Sequence, residues 1–157
     1  RDEKIVFGNT IIDNGNINYQ VYGSYFKKNT MLMPFCHQSS VVKSSLLKKY
    51  LFNLSYTLSS DFDFFYNCYL IDIKFLKQNY IISKVKSGGK SDKSRQKVLL
   101  ENIKVLSYKK EYSKILFLYF FKLSELFKSF IKLFMTKNLA SYILKIKYRN
   151  TLKKLRF

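Results

Sequence analysis

The chain of 157 residues carries 29 Lys and Arg against 10 Asp and Glu, a formal net charge of +19, and is 47% hydrophobic and 18% aromatic. That apolar content separates it from a disordered basic tail and supplies a core for one domain, or for one domain and an extension. Charge of this size on a small body opposes compaction, which weighs against an ordinary monomeric cytosolic enzyme and calls for a polyanionic partner.

The chain opens on Arg1 rather than Met, as expected of a processed, truncated or partly observed chain, and any targeting peptide is outside the view. The first stretch, residues 1–61, is rich in Asn, Ser and Tyr with weak periodicity and reads as an N-terminal extension, partly irregular. Strands are expected near Lys4 to Ile12 and Ile17 to Phe26, joined by a turn at Asp13, Asn14 and Gly15. Cys36, Cys68 and the lone His37 form neither a metal spacing nor a disulfide framework, so the thiols read as buried or incidental. No Ser or Asp constellation singles out His37, and Asp61 and Asp63, without a partner His, are expected at the surface or in an interface.

From residue 62 the pattern sharpens into an α/β domain running to 148. Ile71, Ile73 and Phe75 alternate with Asp72 and Lys74, the mark of a half-buried strand. Lys77, Gln78 and Asn79 read as a turn into a second strand, Tyr80 to Lys86, giving a hairpin. Ser87-Gly88-Gly89-Lys90-Ser91 is the most flexible segment, and Ser94 to Lys109 follows as a helix with Val98, Leu99, Ile103 and Leu106 on one stripe. The apolar run of seven residues from Ile115 to Phe121 reads as a central strand covered on both faces. Leu123, Leu126, Phe127, Phe130, Ile131 and Phe134 recur at helical spacing and are expected in the core. Lys122, Glu125, Lys128 and Lys132 interrupt the apolar stretch, so no transmembrane segment is expected. Leu144, Ile146 and Tyr148 alternate with Lys145 and Lys147 in a last strand, and residues 149–157 form a basic tail. The order β-β-α-β-α-β implies an α/β sandwich with parallel crossovers.

Charge divides unevenly along this order. Residues 1–80 hold nine basic and six acidic residues, whereas 81–157 hold twenty and four. The second half therefore faces the polyanion. Its Gly-rich segment lacks the spacing of a nucleotide-hydrolysing phosphate loop, because position 84, where the first glycine would fall, is Lys. It reads instead as a loop whose amides, with Lys86, Lys90, Lys93 and Arg95, meet backbone phosphates. Tyr108, Tyr112 and Tyr148, set among lysines, are the candidates for stacking on unpaired bases.

These residues carry a resemblance. Tyr66-Asn67-Cys68, the strand to Phe75, the turn at 77–79, the strand to Lys86 and Ser87-Gly88-Gly89 resemble the opening of the universal small-subunit ribosomal protein eleven family. Lys93-Ser94-Arg95-Gln96-Lys97 is similar to the family's Gly-Ser-Arg-Lys element at a helix start, and Lys153-Lys154-Leu155-Arg156 to its basic ending. The resemblance covers residues 62–157 and implies a ribonuclease H-like topology. It implies a structural constituent of an organellar, mitochondrial small ribosomal subunit, not an enzyme, with no cofactor and no metal. The partners it implies are small-subunit ribosomal RNA and neighbouring small-subunit ribosomal proteins, with no small-molecule substrate. Taken with the charge, it assigns RNA contact to Lys84, Lys86, Ser87, Gly88, Gly89, Lys90, Lys93, Ser94, Arg95 and Lys97. The same expectation extends to Lys145, Lys147, Arg149, Lys153, Lys154 and Arg156. Two alternatives stay open: the ribosomal protein nine family, and an accessory subunit of an organellar membrane respiratory complex.

Overall fold

The computed structural model describes residues 4–15 and 17–134. In chain order the elements are β1 (Lys4–Asp13), β2 (Asn18–Val21), a 3-10 turn at His37–Ser39, β3 (Ser40–Val42), α1 (Ser44–Lys49), α2 (Ser60–Leu70), β4 (Lys74–Lys86), α3 (Lys90–Lys93), α4 (Arg95–Tyr108) and α5 (Tyr112–Phe134). Residues up to Leu118 make one compact unit, and a second begins at Tyr119, whose described part is the continuation of α5.

The first unit is an α/β domain on an open four-stranded sheet. β1 is its centre. β4 pairs with β1 in parallel from Lys4↔Lys74 to Asp13↔Lys86. A strand has only two edges, so β3, antiparallel at Ile5 to Phe7, and β2, antiparallel at Thr10 to Asp13, share the other one end to end. Held on both edges, β1 buries Ile5, Phe7, Asn9 and Thr10 and loses the simple in-out alternation of a half-exposed strand. Residues 1–61, expected as an extension, thus supply three of the four strands, and Phe7, Phe26, Phe35 and Leu46 of the core. The core is aromatic: Phe7 stacks on Phe35 at 4.5 Å, and Phe26 lies 5.5 Å from Phe75 and 5.4 Å from Tyr69. Pairs of this kind add about 0.5–1.5 kcal/mol beyond the area they bury.

The expected hairpin at 71–86 is corrected to one strand. Lys77, Gln78 and Asn79 contain neither Gly nor Pro, and no turn forms. The triplet lies instead where β4 bulges against β1: from Phe7↔Lys77 to Asn9↔Ile81, β1 advances two residues while β4 advances four. Asn9 stabilises the irregularity, donating through Nδ2 to the Asn79 carbonyl at 3.0 Å and accepting the Gly23 N–H at 3.2 Å. Gly8 makes it sterically feasible, since a Cβ there would sit 2.7 Å from Ile82 Cδ1 and 2.9 Å from the Tyr80 oxygen. The second expected strand ends early, at Val21, because the chain then folds inward and a Cβ on Gly23 would lie 2.8 Å from the Gly8 oxygen.

Ahead of β4, α2 was not foreseen. Phe62, Phe65, Tyr66 and Tyr69 recur at helical spacing, and Asp61 and Asp63 occupy the first turn, where the helix dipole favours them. Its N-terminus is capped from another helix: Glu101 of α4 accepts the Leu58 and Ser59 amides at 2.8 and 2.9 Å and the Thr57 hydroxyl at 2.8 Å. Helix α4 matches its expected span within a residue at each end, and Leu99, Ile103 and Leu106 are buried as expected. It closes with Lys110 at φ 59 and the Glu111 amide donating to the Leu106 oxygen at 2.9 Å.

The expected strand at Ile115–Phe121 is corrected to helix. Only Ile115 in that run is β-branched, and Leu116, Phe120, Leu123 and Phe127 continue a single stripe along α5 with no Gly or Pro to break it. The β-β-α-β-α-β order with its crossovers is therefore not that of the described residues. Nor is Phe127 core: it is 64% exposed, with Phe120 at 71% and Leu123 at 64%. No helix of the described residues is long and apolar enough to cross a membrane. The strand expected at Leu144 to Tyr148 and the basic tail lie outside the described residues.

Candidate nucleic-acid interface

The end of β4, the Gly-rich loop, α3 and the start of α4 bring the central cationic residues into one continuous exposed segment. Lys84 and Lys86 flank Val85 and share a face of β4; Lys90, Lys93, Arg95 and Lys97 follow, all exposed. Lys84 reaches Asp13 Oδ2 at 3.2 Å. Asp13 is held below the usual carboxylate range, first by the Gly15 amide and then by Lys84.

The loop hangs from the sheet through the Ser87 amide, which donates to the Asp13 carbonyl at 2.8 Å. Gly88 takes φ 82, a left-handed value that glycine reaches without strain. Its amide, expected to face a phosphate, donates to Asp92 Oδ2 at 2.8 Å instead. Gly89 has open space where a Cβ would stand, so no contact demands glycine there.

Beneath the segment lies a cleft of about 600 Å³. Lys86, Ser87, Gly89, Lys90 and Arg95 line it, whereas Lys84, Gly88, Lys93, Ser94 and Lys97 do not. Lys145, Lys147, Arg149, Lys153, Lys154 and Arg156 lie outside the described residues. The lining also holds a pair the sequence did not disclose: His37 Nδ1 meets Asp61 Oδ2 at 2.8 Å. The expectation that Asp61 has no partner His is corrected, because the 3-10 turn at His37 packs against the start of α2. Hydrogen bonding to Asp61 raises His37 above its ordinary value, against the opposing pull of burial. Nothing in residue order links these two positions; they meet only in the folded chain. Asp63 is buried rather than superficial, at 7% exposure, and faces Lys109 at 3.9 Å. Burial raises its carboxyl, with Lys109 opposing.

A second polar cluster is closed and structural. Lys114 donates to the buried Tyr66 hydroxyl, which donates to Glu111 Oε1 at 3.0 Å, while Lys114 and Glu111 pair at 3.1 Å. Burial, and then the Glu111 carboxylate, push the Tyr66 phenol upward. Among the stacking candidates Tyr108 and Tyr112 are 79% and 69% exposed, and Lys109 lies over the Tyr108 ring at 5.0 Å. Tyr148 is outside the described residues. Among the described residues no three His, Cys, Asp or Glu side chains gather as metal ligands. No protein-family model, characterised protein or solved structure matches this chain.

Proposed function

We propose that the protein is an RNA-binding structural constituent of an organellar, mitochondrial small ribosomal subunit, positioning folded ribosomal RNA by neutralising its phosphates. The observation that carries this reading is the exposed run Lys84, Lys86, Lys90, Lys93, Arg95 and Lys97, interrupted by one acid, Asp92, whose charge is turned onto the Gly88 amide. A cationic surface of this density persists next to a polyanion, and phosphate contacts of this kind position RNA without reading its sequence. The resemblance to the ribosomal protein eleven family carries less, since the hairpin and the strand at 115–121 that belong to it are here one strand and a helix. Neighbouring ribosomal proteins are the partners proposed for the exposed apolar side of α5. Catalysis is not part of the proposal.

Sedimentation tests it. The protein from intact organelles should travel with the small ribosomal subunit, and replacing Lys90, Lys93 and Arg95 by Ala should weaken binding to ribosomal RNA. The logarithmic salt slope should fall by about 0.7–0.9 for each phosphate that the variant no longer neutralises. One observation favours a second reading, an accessory subunit of a membrane respiratory complex: Leu116, Phe120, Leu123 and Phe127 of α5 are all more than half exposed. Absence from ribosomal fractions with retention in the detergent-extracted complex would replace the first reading with the second.

A further inference from the structure

We infer that an open cavity between the turn at 27–30 and the first turn of α5 is a site for a phosphate group. The inference rests on the RNA-binding reading, which supplies that group from the RNA backbone, and adds a contact outside the segment 84–97. The cavity measures about 590 Å³, and Lys27, Lys28, Asn29, Ser113 and Lys114 belong to its lining. It shares no lining residue with the cleft beneath the Gly-rich loop, and no acid lines it. Lys27, Lys28, Asn29 and Ser113 are exposed, so an occupant can reach their side chains. The turn is fixed locally: the Thr30 amide donates to the Lys27 carbonyl at 2.9 Å, and Thr30 Oγ1 accepts the Lys27 amide at 2.7 Å. Lys28 and Asn29 are thereby held at its tip.

Charge points to the occupant. Among the described residues neither Lys27 nor Lys28 pairs with an acid. Lys114 adds an ammonium on a side chain only 9% exposed. Two of its three N–H groups serve Tyr66 Oη and Glu111 Oε2, and the third has no partner among the described residues. Glu111 offsets the Lys114 charge from outside the lining, so the excess on the cavity is that of Lys27 and Lys28. Like charges around one cavity repel each other, and an anion between them turns that repulsion into attraction. Lysine ammonium groups act as point charges on phosphate oxygens, and the Ser113 hydroxyl and Asn29 amide supply neutral donors beside them. Residues 1–80 hold nine basic residues against six acidic, so charge along the chain does not mark this pair; the fold brings it to α5.

The test uses the full chain with small-subunit ribosomal RNA and, separately, with inorganic phosphate. Lys27→Ala combined with Lys28→Ala should weaken RNA binding about fivefold to eightfold at about 0.1 M salt. The logarithmic salt slope should fall by about 0.7–0.9, the loss of one phosphate. Lys43→Ala combined with Lys48→Ala removes the same charge outside the cavity and should leave the slope unchanged. All four positions are exposed, so both variants should keep the wild-type urea midpoint. Inorganic phosphate should shift the amide resonances of residues 27–29 in the wild type and not in the first variant. Equal losses of RNA affinity in the two variants would make the effect one of net charge and overturn the site. An unchanged slope in the first variant, with its phosphate response lost, keeps the site and overturns RNA as its source. An unchanged slope with no phosphate response in the wild type overturns the site and leaves the RNA-binding reading intact. A wild type that binds no RNA overturns that reading, and the phosphate response then decides the site alone. Polyglutamate shifting the same resonances where phosphate does not would assign the cavity to an acidic protein segment and overturn the proposal.

Discussion

Helices α4 and α5 are adjacent, and both are amphipathic by sequence, yet they use their apolar faces in opposite ways. In α4 the stripe Leu99, Ile103 and Leu106 is buried, and Glu101 on its flank caps α2. In α5 the stripe Leu116, Phe120, Leu123 and Phe127 is exposed, while Lys114, on the polar side, is 8% exposed and held by Glu111 and Tyr66. Helical periodicity says which residues share a face. It does not say whether that face meets the core or a partner. The two helices divide their apolar residues differently: α4 gives its stripe to the core, whereas α5 buries Leu118 and leaves Leu116, Phe120, Leu123 and Phe127 exposed.

Truncating one Leu on each helix should give the largest difference between them. Leu106→Ala, at a fully buried position, should cost about 2–5 kcal/mol in urea unfolding. Leu123→Ala, at 64% exposure, should stay within about 0.5 kcal/mol. Similar destabilisation by the two would mean that the α5 face is covered within the monomer.

A smaller effect is expected at the cap. Glu101→Ala removes the acceptor for four donors ahead of α2, the Thr57, Leu58 and Ser59 amides and the Thr57 hydroxyl, and should cost about 1–3 kcal/mol. Burial alone would raise this carboxyl, but the Leu58, Thr57 and Ser59 hydrogen bonds outweigh it and hold it below its ordinary 4.5. Its contribution is complete above that value and lost as pH falls through the folded one. The urea midpoint of the wild type should therefore drop on acidification below 4.5, and Glu101→Ala should make that drop shallower.

The joint between the helices gives the next effect. Lys110 holds φ 59, where a non-glycine side chain is disfavoured, so Lys110→Gly should stabilise the chain by up to about 1 kcal/mol, read as a higher urea midpoint. A decrease would show that the Lys110 side chain contributes more than its backbone costs.

The smallest effect concerns the cleft. Asp61 raises His37 above 6.5, so the stability from this pair is complete below 6.5 and is lost as pH rises through the folded value. The urea midpoint of the wild type should fall across that range, and His37→Gln should flatten the fall. An unchanged slope would remove the pair from the stability of the cleft wall. The Leu variants of α4 and α5 remove neither member of the pair and should keep the wild-type slope.

Much of the local structure was legible. The β1 strand and its Asp13-Asn14-Gly15 turn, the α4 helix with its buried stripe, and the cationic segment from Lys84 to Lys97 follow from alternation, helical spacing and charge. Two readings failed for the same reason. A continuous apolar run such as Ile115–Phe121 fits a buried strand and a helix equally, and a polar triplet such as Lys77–Asn79 fits a turn and a bulge equally. In each case the neighbour decides. β1, with Gly8 and Asn9, accepts the bulge, and the unbroken stripe into Leu123 and Phe127 makes the run helical.

The amino-acid sequence by itself determined composition, charge placement and the faces of its periodic segments, because these depend only on residue type and spacing. Tertiary structure alone decided that β1 is central, that the α5 stripe is exposed, that Asp92 occupies the Gly88 amide, and that His37 meets Asp61 in the lining of a cleft. Most of these features join residues far apart in the chain, and no local pattern encodes them: they exist only once strand pairing and core packing have brought the segments together.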